Sequence, residues 1–218
     1  MKLSQLTLAL TAFTLAPNAF AGILTLEDSA SRVNGITISK GGKMEVEGRL
    51  TNLVTVGAGL RSSLGGLVKV YVGELLVNDK NKYACSDEKS YESLKDLSGV
   101  AVKLSIQYSR VTEADLEKAF NDGFKANGVT VNADIQKFVD SVKAGGRPTS
   151  GAKLSFTGEK LADGSEVVTY ENSANGKPAV STHGGAGLVA AIFGLWLGKT
   201  NESGLQDLRT NFVTCQVK

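Results

Sequence analysis

The stretch Val100 to Ser109 constrains the fold more than any other part of the chain. Val100, Val102, Leu104, Ile106 and Tyr108 alternate with Ala101, Lys103, Ser105, Gln107 and Ser109. A period of two means a strand with an apolar face, and that face must lie under a second layer. The other face is expected to be solvated or to border a cleft that tolerates polar groups. Tyr108 is expected in the core with its hydroxyl at the edge. The next segment supplies the cover. Thr112-x-x-Asp115 is a capping-box variant that starts a helix, and Leu116, Ala119, Phe120 and Phe124 form its apolar stripe. Asn127-Gly128 ends it. Ile135, Phe138, Val139 and Val142 then recur at helical spacing, and Gly145 to Pro148 stops that second helix. The short break between the two predicts an antiparallel pair laid on the sheet.

The remaining elements follow the same logic. Gly35–Ile38 and Met44–Glu47 read as short alternating strands separated by a Gly41-Gly42 turn, Leu50–Val56 leads into a glycine corner, and Val68–Val77 reads as a further strand. Ser86–Leu97 reads as a helix capped by Ser86 or Asp87. Ala152–Thr157 and Glu166–Tyr170 form a hairpin around Asp163-Gly164, and Asn175-Gly176 is a turn. Gly184–Leu197 is nearly all small and apolar, too short to cross a bilayer, and is expected as a buried helix with Trp196 in the core. Ser203–Val213 is an amphipathic helix with Leu205, Leu208 and Phe212 inward. Strands, paired helices, strands and helices in that order predict an α+β fold, a curved antiparallel sheet with a layer of helices on one face.

Residues 1–21 are set apart. Lys2 gives a positive start, Leu3–Leu15 is an apolar run, and Ala19-Phe20-Ala21 is a small-x-small cleavage site. This predicts a signal peptide cleaved after Ala21 and export, to a bacterial periplasm or the medium, with 22–218 as one domain. The full chain has 218 residues and a formal net charge of +2, with no basic stripe interleaved with aromatics, so nucleic acid is not an expected partner. No stable membrane insertion is expected after the leader. Cys85 and Cys215 are the two cysteines. In an oxidising compartment they suggest one disulfide, with two buried thiols as the alternative. With His183 as the single histidine, no metal site or cofactor is expected, and ordinary acid–base catalysis near neutral pH has little to work with. Asn201-Glu202-Ser203 matches a glycosylation acceptor, of no consequence in a bacterial source.

Chemistry concentrates in Gly57 to Leu76. Gly57 and Gly59 read as a tight corner, at positive φ or in close approach to another group, that delivers Arg61. Tyr71 follows on a strand. Simple alternation puts Lys69, Tyr71, Gly73 and Leu75 on one face and Val68, Val70 and Val72 on the other. A guanidinium and a phenol beside apolar walls suit a carboxylate with a hydrocarbon body. The competing reading is a salt bridge at Arg61 and an ordinary strand aromatic at Tyr71.

This stretch resembles the chalcone-isomerase fold family, in particular its bacterial exported members. The motifs are Gly57-Ala58-Gly59-Leu60-Arg61, then Lys69-Val70-Tyr71-Val72-Gly73-Glu74-Leu75-Leu76, with the strand and helix of 100–127, the turn at 175–177 and Leu195-Trp196-Leu197-Gly198 in the expected order. The resemblance implies an open-faced β-sandwich. It also implies two branches that share the arginine: plant enzymes that cyclise chalcones, and relatives that bind fatty acids without catalysis. The enzymes have threonine where this chain has Tyr71, and the binders have tyrosine. The enzymes' helix tyrosine and asparagine pair with Leu116 and Gly123 here, so the equipment for a flavonoid substrate is absent. Leu76 stands where a second tyrosine is common, which removes a polar pocket group, and the gap between Arg61 and Tyr71 is shorter than in the plant proteins. The expectation is a non-catalytic binder of a small hydrophobic carboxylate at Arg61 and Tyr71. The alternatives are an intramolecular lyase (an isomerase) using the same two residues, and a structural envelope or partner-binding protein whose cleft is filled.

Overall fold

The computed structural model describes residues 22–218, and the leader expected at 1–21 lies outside the described residues. Eight strands form one antiparallel sheet in chain order: β1 (Leu24–Val33), β2 (Ile36–Val46), β3 (Arg49–Ser63), β4 (Val68–Val77), β5 (Gly99–Ile106), β6 (Lys153–Lys160), β7 (Glu166–Asn172) and β8 (Val180–Gly184). Helices α1 (Ser90–Ser93), α2 (Glu113–Ala126), α3 (Ala133–Ala144), α4 (Leu188–Leu197) and α5 (Ser203–Val213) contribute to a single core on one face. The sheet does not close into a barrel, and the architecture is the expected α+β open-faced sandwich. Two-residue turns at Asn34-Gly35 and Glu47-Gly48, all four residues at positive φ, set the first hairpins.

The helix layer follows the sequence closely. Thr112 and Asp115 exchange both capping-box bonds at the start of α2, and Asn132 caps α3. Phe120, Phe138, Phe156 and Trp196 interlock beneath the helices, with Phe120 edge-on to Phe138 at 5.4 Å and Phe156 against Trp196 at 5.0 Å. Three local expectations fail. Ser86–Leu97 yields only the short α1 and a 3-10 turn at Leu94–Asp96, without a side-chain cap. Gly184 ends β8, a strand the sequence did not announce, and α4 begins only at Leu188 after Gly187 at positive φ. Gly41-Gly42 is not a turn. It lies inside β2 beside a bulge, where the backbones of β1 and β3 pass too close for a Cβ.

The second face of the sheet is the larger correction. It is neither solvated nor a cleft, because β5 is buried along its whole length on both faces. Bulges in each of β1 to β4 accompany the bending that lays the first strands across the back of the sheet. Met44 and Leu53 pack on Leu76 and Ala101. Arg49 bonds Glu159 of β6 at 3.0 Å, and Glu47 meets His183 of β8 at 2.6 Å. The polar residues of this face end up between layers. Glu74 is fully buried, 2.5 Å from the Lys103 ammonium, and accepts from Ser39 N–H at 2.7 Å and Ser39 Oγ at 2.6 Å.

Candidate functional site

Gly57, Gly59 and Arg61 lie within one long strand, and neither glycine has positive φ, so the expected corner does not exist. The expected close approach does. A Cβ on Gly57 would sit 2.8 Å from the Asn211 carbonyl and 2.9 Å from Phe212 Cα, and one on Gly59 would strike the Asn211 side chain. The glycines let α5 lie flat on β3, which sets the end of the molecule where Arg61 emerges.

Arg61 and Tyr71 are direct cross-strand partners. A bulge after Arg61 makes Val70 the extra residue, which breaks the simple alternation. Val68 and Val70 turn to the Tyr71 side, while Lys69 turns away and bonds Asn34 at 2.5 Å. The face assignment of Val68, Val70 and Lys69 is therefore corrected: one extra residue flips every side chain beyond it. The result is a cavity of about 990 Å³ between the sheet and α2, lined by Arg61 and Tyr71 and walled by Val70, Ile106, Leu116 and Phe120. That is the upper end of the range for small-molecule sites. A second cavity of about 340 Å³ lies by the starts of α3 and α4 and holds neither residue.

The polar end of the large cavity has unspent donors. The Arg61 guanidinium lies over the Tyr71 ring, 5.4 Å from its centroid. Its Nη2 donates to both carboxylate oxygens of Glu202, at 2.6 and 2.8 Å, while its buried Nε has no partner among the described residues. Burial opposes the Arg61 charge, but the Tyr71 oxygen, Glu202 and Asp115 outweigh it and the net pKa is raised. Tyr71 is buried, and its oxygen accepts from Trp196 Nε1 at 3.3 Å. No acceptor for its own proton is found among the described residues. Burial raises the Tyr71 pKa above the ordinary phenol value, against the lowering effects of Arg61 and Trp196. Tyr71 is thus a neutral donor and not a phenolate base. Two free donors at the end of an apolar hollow can hold an oxyanion.

The chain matches the chalcone isomerase-like family model over residues 30–211. It belongs to that family. No curated protein sequence matches the chain. Among solved structures, a fatty-acid binding protein of Arabidopsis thaliana is similar over 83% of this chain and 92% of its own, with a TM-score of 0.56 and 16% identity, a likeness of fold.

Within this chalcone isomerase-like chain, Leu116 and Gly123 both line the cavity, so their apolar character bears directly on its contents. Leu76 does not. It faces the opposite layer, against Met44 and Ala101, and its identity takes nothing from the pocket, contrary to the sequence reading. Tyr108 lies beyond the end of β5, half-buried at the cavity, and not in the core. The sequence reading missed two site residues. Trp196 is a core residue that also supplies a polar contact to the site; the signal was its N–H, which needs a partner when buried. Glu202 was noticed only as part of an Asn-x-Ser triplet, and nothing local marks it as the partner of Arg61 across 141 positions.

Cys85 and Cys215 are joined in a disulfide with Cα atoms 5.4 Å apart, which fastens the end of α5 to the segment after β4. His183 is exposed, bonded to Glu47 away from the cavity. No cluster of three or more metal-ligating side chains occurs among the described residues, and no helix among them is long and apolar enough to cross a membrane.

Proposed function

We propose that the protein is a non-catalytic carrier of a small apolar carboxylate, a fatty acid being the type, with Arg61 and Tyr71 holding the carboxylate and the hydrocarbon lying between the sheet and α2. The observation that carries this is a large, mostly apolar cavity lined at one end by Arg61, whose Nε has no partner among the described residues, and by Tyr71, whose hydroxyl accepts from Trp196 and finds no acceptor for its own proton among them. The fatty-acid binding protein of similar fold supports the same class of ligand. Tyr71, held neutral by burial, suits hydrogen-bond donation more than proton abstraction. Export fits the apolar leader pattern and the Cys85–Cys215 bridge; intact mass of the protein from its host reads cleavage after Ala21 directly.

The test is extraction of bound lipid from purified protein, read by mass spectrometry, with thermal denaturation on adding a fatty-acid series. A recovered fatty acid and a raised Tm that depends on chain length are expected. Absence of both would remove the reading. Turnover of a chalcone that is lost in Arg61→Ala would replace it with the isomerase.

A further inference from the structure

The hairpin between β3 and β4 is built in an unusual way. Its four-residue tip is Leu64-Gly65-Gly66-Leu67, with Leu64, Gly65 and Gly66 all at positive φ. Leucine is a poor residue for the left-handed region, where Gly or Asn costs less. Leu64 is 73% exposed and Leu67 87%, the two most exposed large apolar residues among those described. A soluble surface gains nothing from two bare leucines on a strained tip. Leu64 also lines the large cavity, so the tip stands at its mouth.

The charges of the same mouth are unbalanced. Its three acids are all engaged: Asp115 in the α2 cap, Asp122 with Lys118, and Glu202 with Arg61. Arg110, Lys125 and Lys199 line it as well, exposed and in no ion pair among the described residues. Three uncommitted cations line the cavity whose rim Leu64 shares, and cations and bare leucines together complement an anionic surface with hydrocarbon beneath it.

We propose that this tip and mouth dock on an anionic lipid bilayer. Leu64 and Leu67 enter the boundary between headgroups and acyl chains, and Arg110, Lys125 and Lys199 meet lipid phosphates. Contact is shallow and reversible, because two leucines give far less anchorage than a spanning helix. The cavity then opens toward the layer in which an apolar carboxylate dissolves. The carrier reading supplies this purpose, but the docking itself stands without it.

Flotation of the purified protein with phosphatidylglycerol–phosphatidylcholine vesicles is the test. The wild type is expected to float, less so in high salt and less on pure phosphatidylcholine. Leu67→Asp, at a position outside the cavity lining, should lower partition roughly tenfold while fatty-acid binding in free solution is unchanged. Leu67→Trp should retain binding and show blue-shifted emission on vesicles, which separates a docking defect from a folding defect. A wild type that never floats on anionic vesicles, or a Leu67→Asp variant that floats equally well, overturns the proposal. Failure of the carrier reading would show in the solution assay and leave flotation untouched.

Discussion

The two faces of β4 carry the same kind of object, a charged pair reaching between elements, in opposite states. On the back face Glu74 is fully buried, with Ser39 donating two bonds to one carboxylate oxygen and the Lys103 ammonium paired with the other. On the front face, three residues earlier on the strand, Tyr71 sits beside Arg61, whose partner Glu202 comes from an exposed loop and is itself 44% exposed. The back pair is sealed between layers of one sheet. The front pair stands at the end of a cavity with donors left over. Strand chemistry alone does not distinguish a structural charge from a binding one; the volume beside it does.

Breaking the sealed pair should have the largest effect. Glu74→Ala strands the Lys103 ammonium between layers and is expected to lower unfolding free energy by about 3–5 kcal/mol in urea titration. Glu74→Ala with Lys103→Met should recover much of that, since an uncharged pair needs no partner. Fatty-acid affinity of the folded fraction should not move in either. A single variant as stable as the wild type would mean that the back layer is open to water.

Loss of the disulfide comes next. It spans 130 positions, and its removal by Cys85→Ala with Cys215→Ala should cost about 2–5 kcal/mol. Because α5 rests on Gly57 and Gly59 next to Arg61, this variant also asks whether the site depends on that helix. Affinity falling along with stability would tie the two together, whereas a drop in Tm alone would show that β3 holds the arginine by itself.

How far these two faces were legible in the sequence follows from what set them. The strict alternation of Val100–Ile106 and the stripes of α2 and α3 are local, and they gave the sheet and its helix layer. Arg61 and Tyr71 were readable as a pair through motif resemblance, although Arg61 was expected on a glycine corner and not on a strand beside Tyr71. The faces around them were not, because a single bulge at Val70 exchanges Val68 and Lys69 between sides, and valine in a strand carries no mark of a bulge. Nor was the burial of Lys103 and Glu74. A lysine on an alternating strand reads as solvated, and only the bending of the first strands over the back makes it otherwise. Glu202 belongs to the same class, a contact made by topology between distant segments.

On the front face, Arg61→Ala should weaken fatty-acid binding by about 10- to 100-fold, the worth of roughly 1.5–3 kcal/mol for a charge-assisted contact, with a much smaller change in Tm. Arg61→Lys should recover only part, since an ammonium lacks the planar fork. Tyr71→Phe removes one neutral donor and leaves Trp196 Nε1 without its acceptor. It should cost about fivefold in affinity, on the order of 1 kcal/mol. Calorimetry on delipidated protein measures all three. Equal affinity in Arg61→Ala would detach the arginine from the ligand.

The smallest effect is the most informative about the front pair. On the carrier reading, Nη2 is the Arg61 donor already engaged by Glu202, so a carboxylate that takes the guanidinium fork has to compete with Glu202 for it. The pair is partly exposed, and such pairs contribute roughly 1 kcal/mol at most. Glu202→Gln should therefore tighten fatty-acid binding by about two- to fivefold, and the gain should shrink in high salt, which already screens the competitor. Weaker binding in this variant would give Glu202 the opposite role, that of aiming the guanidinium, and would place the ligand carboxylate on the buried Nε and the Tyr71 hydroxyl. The two geometries differ in which donor the ligand meets, so the sign of a small change decides between an exchangeable counter-ion and a fixed one.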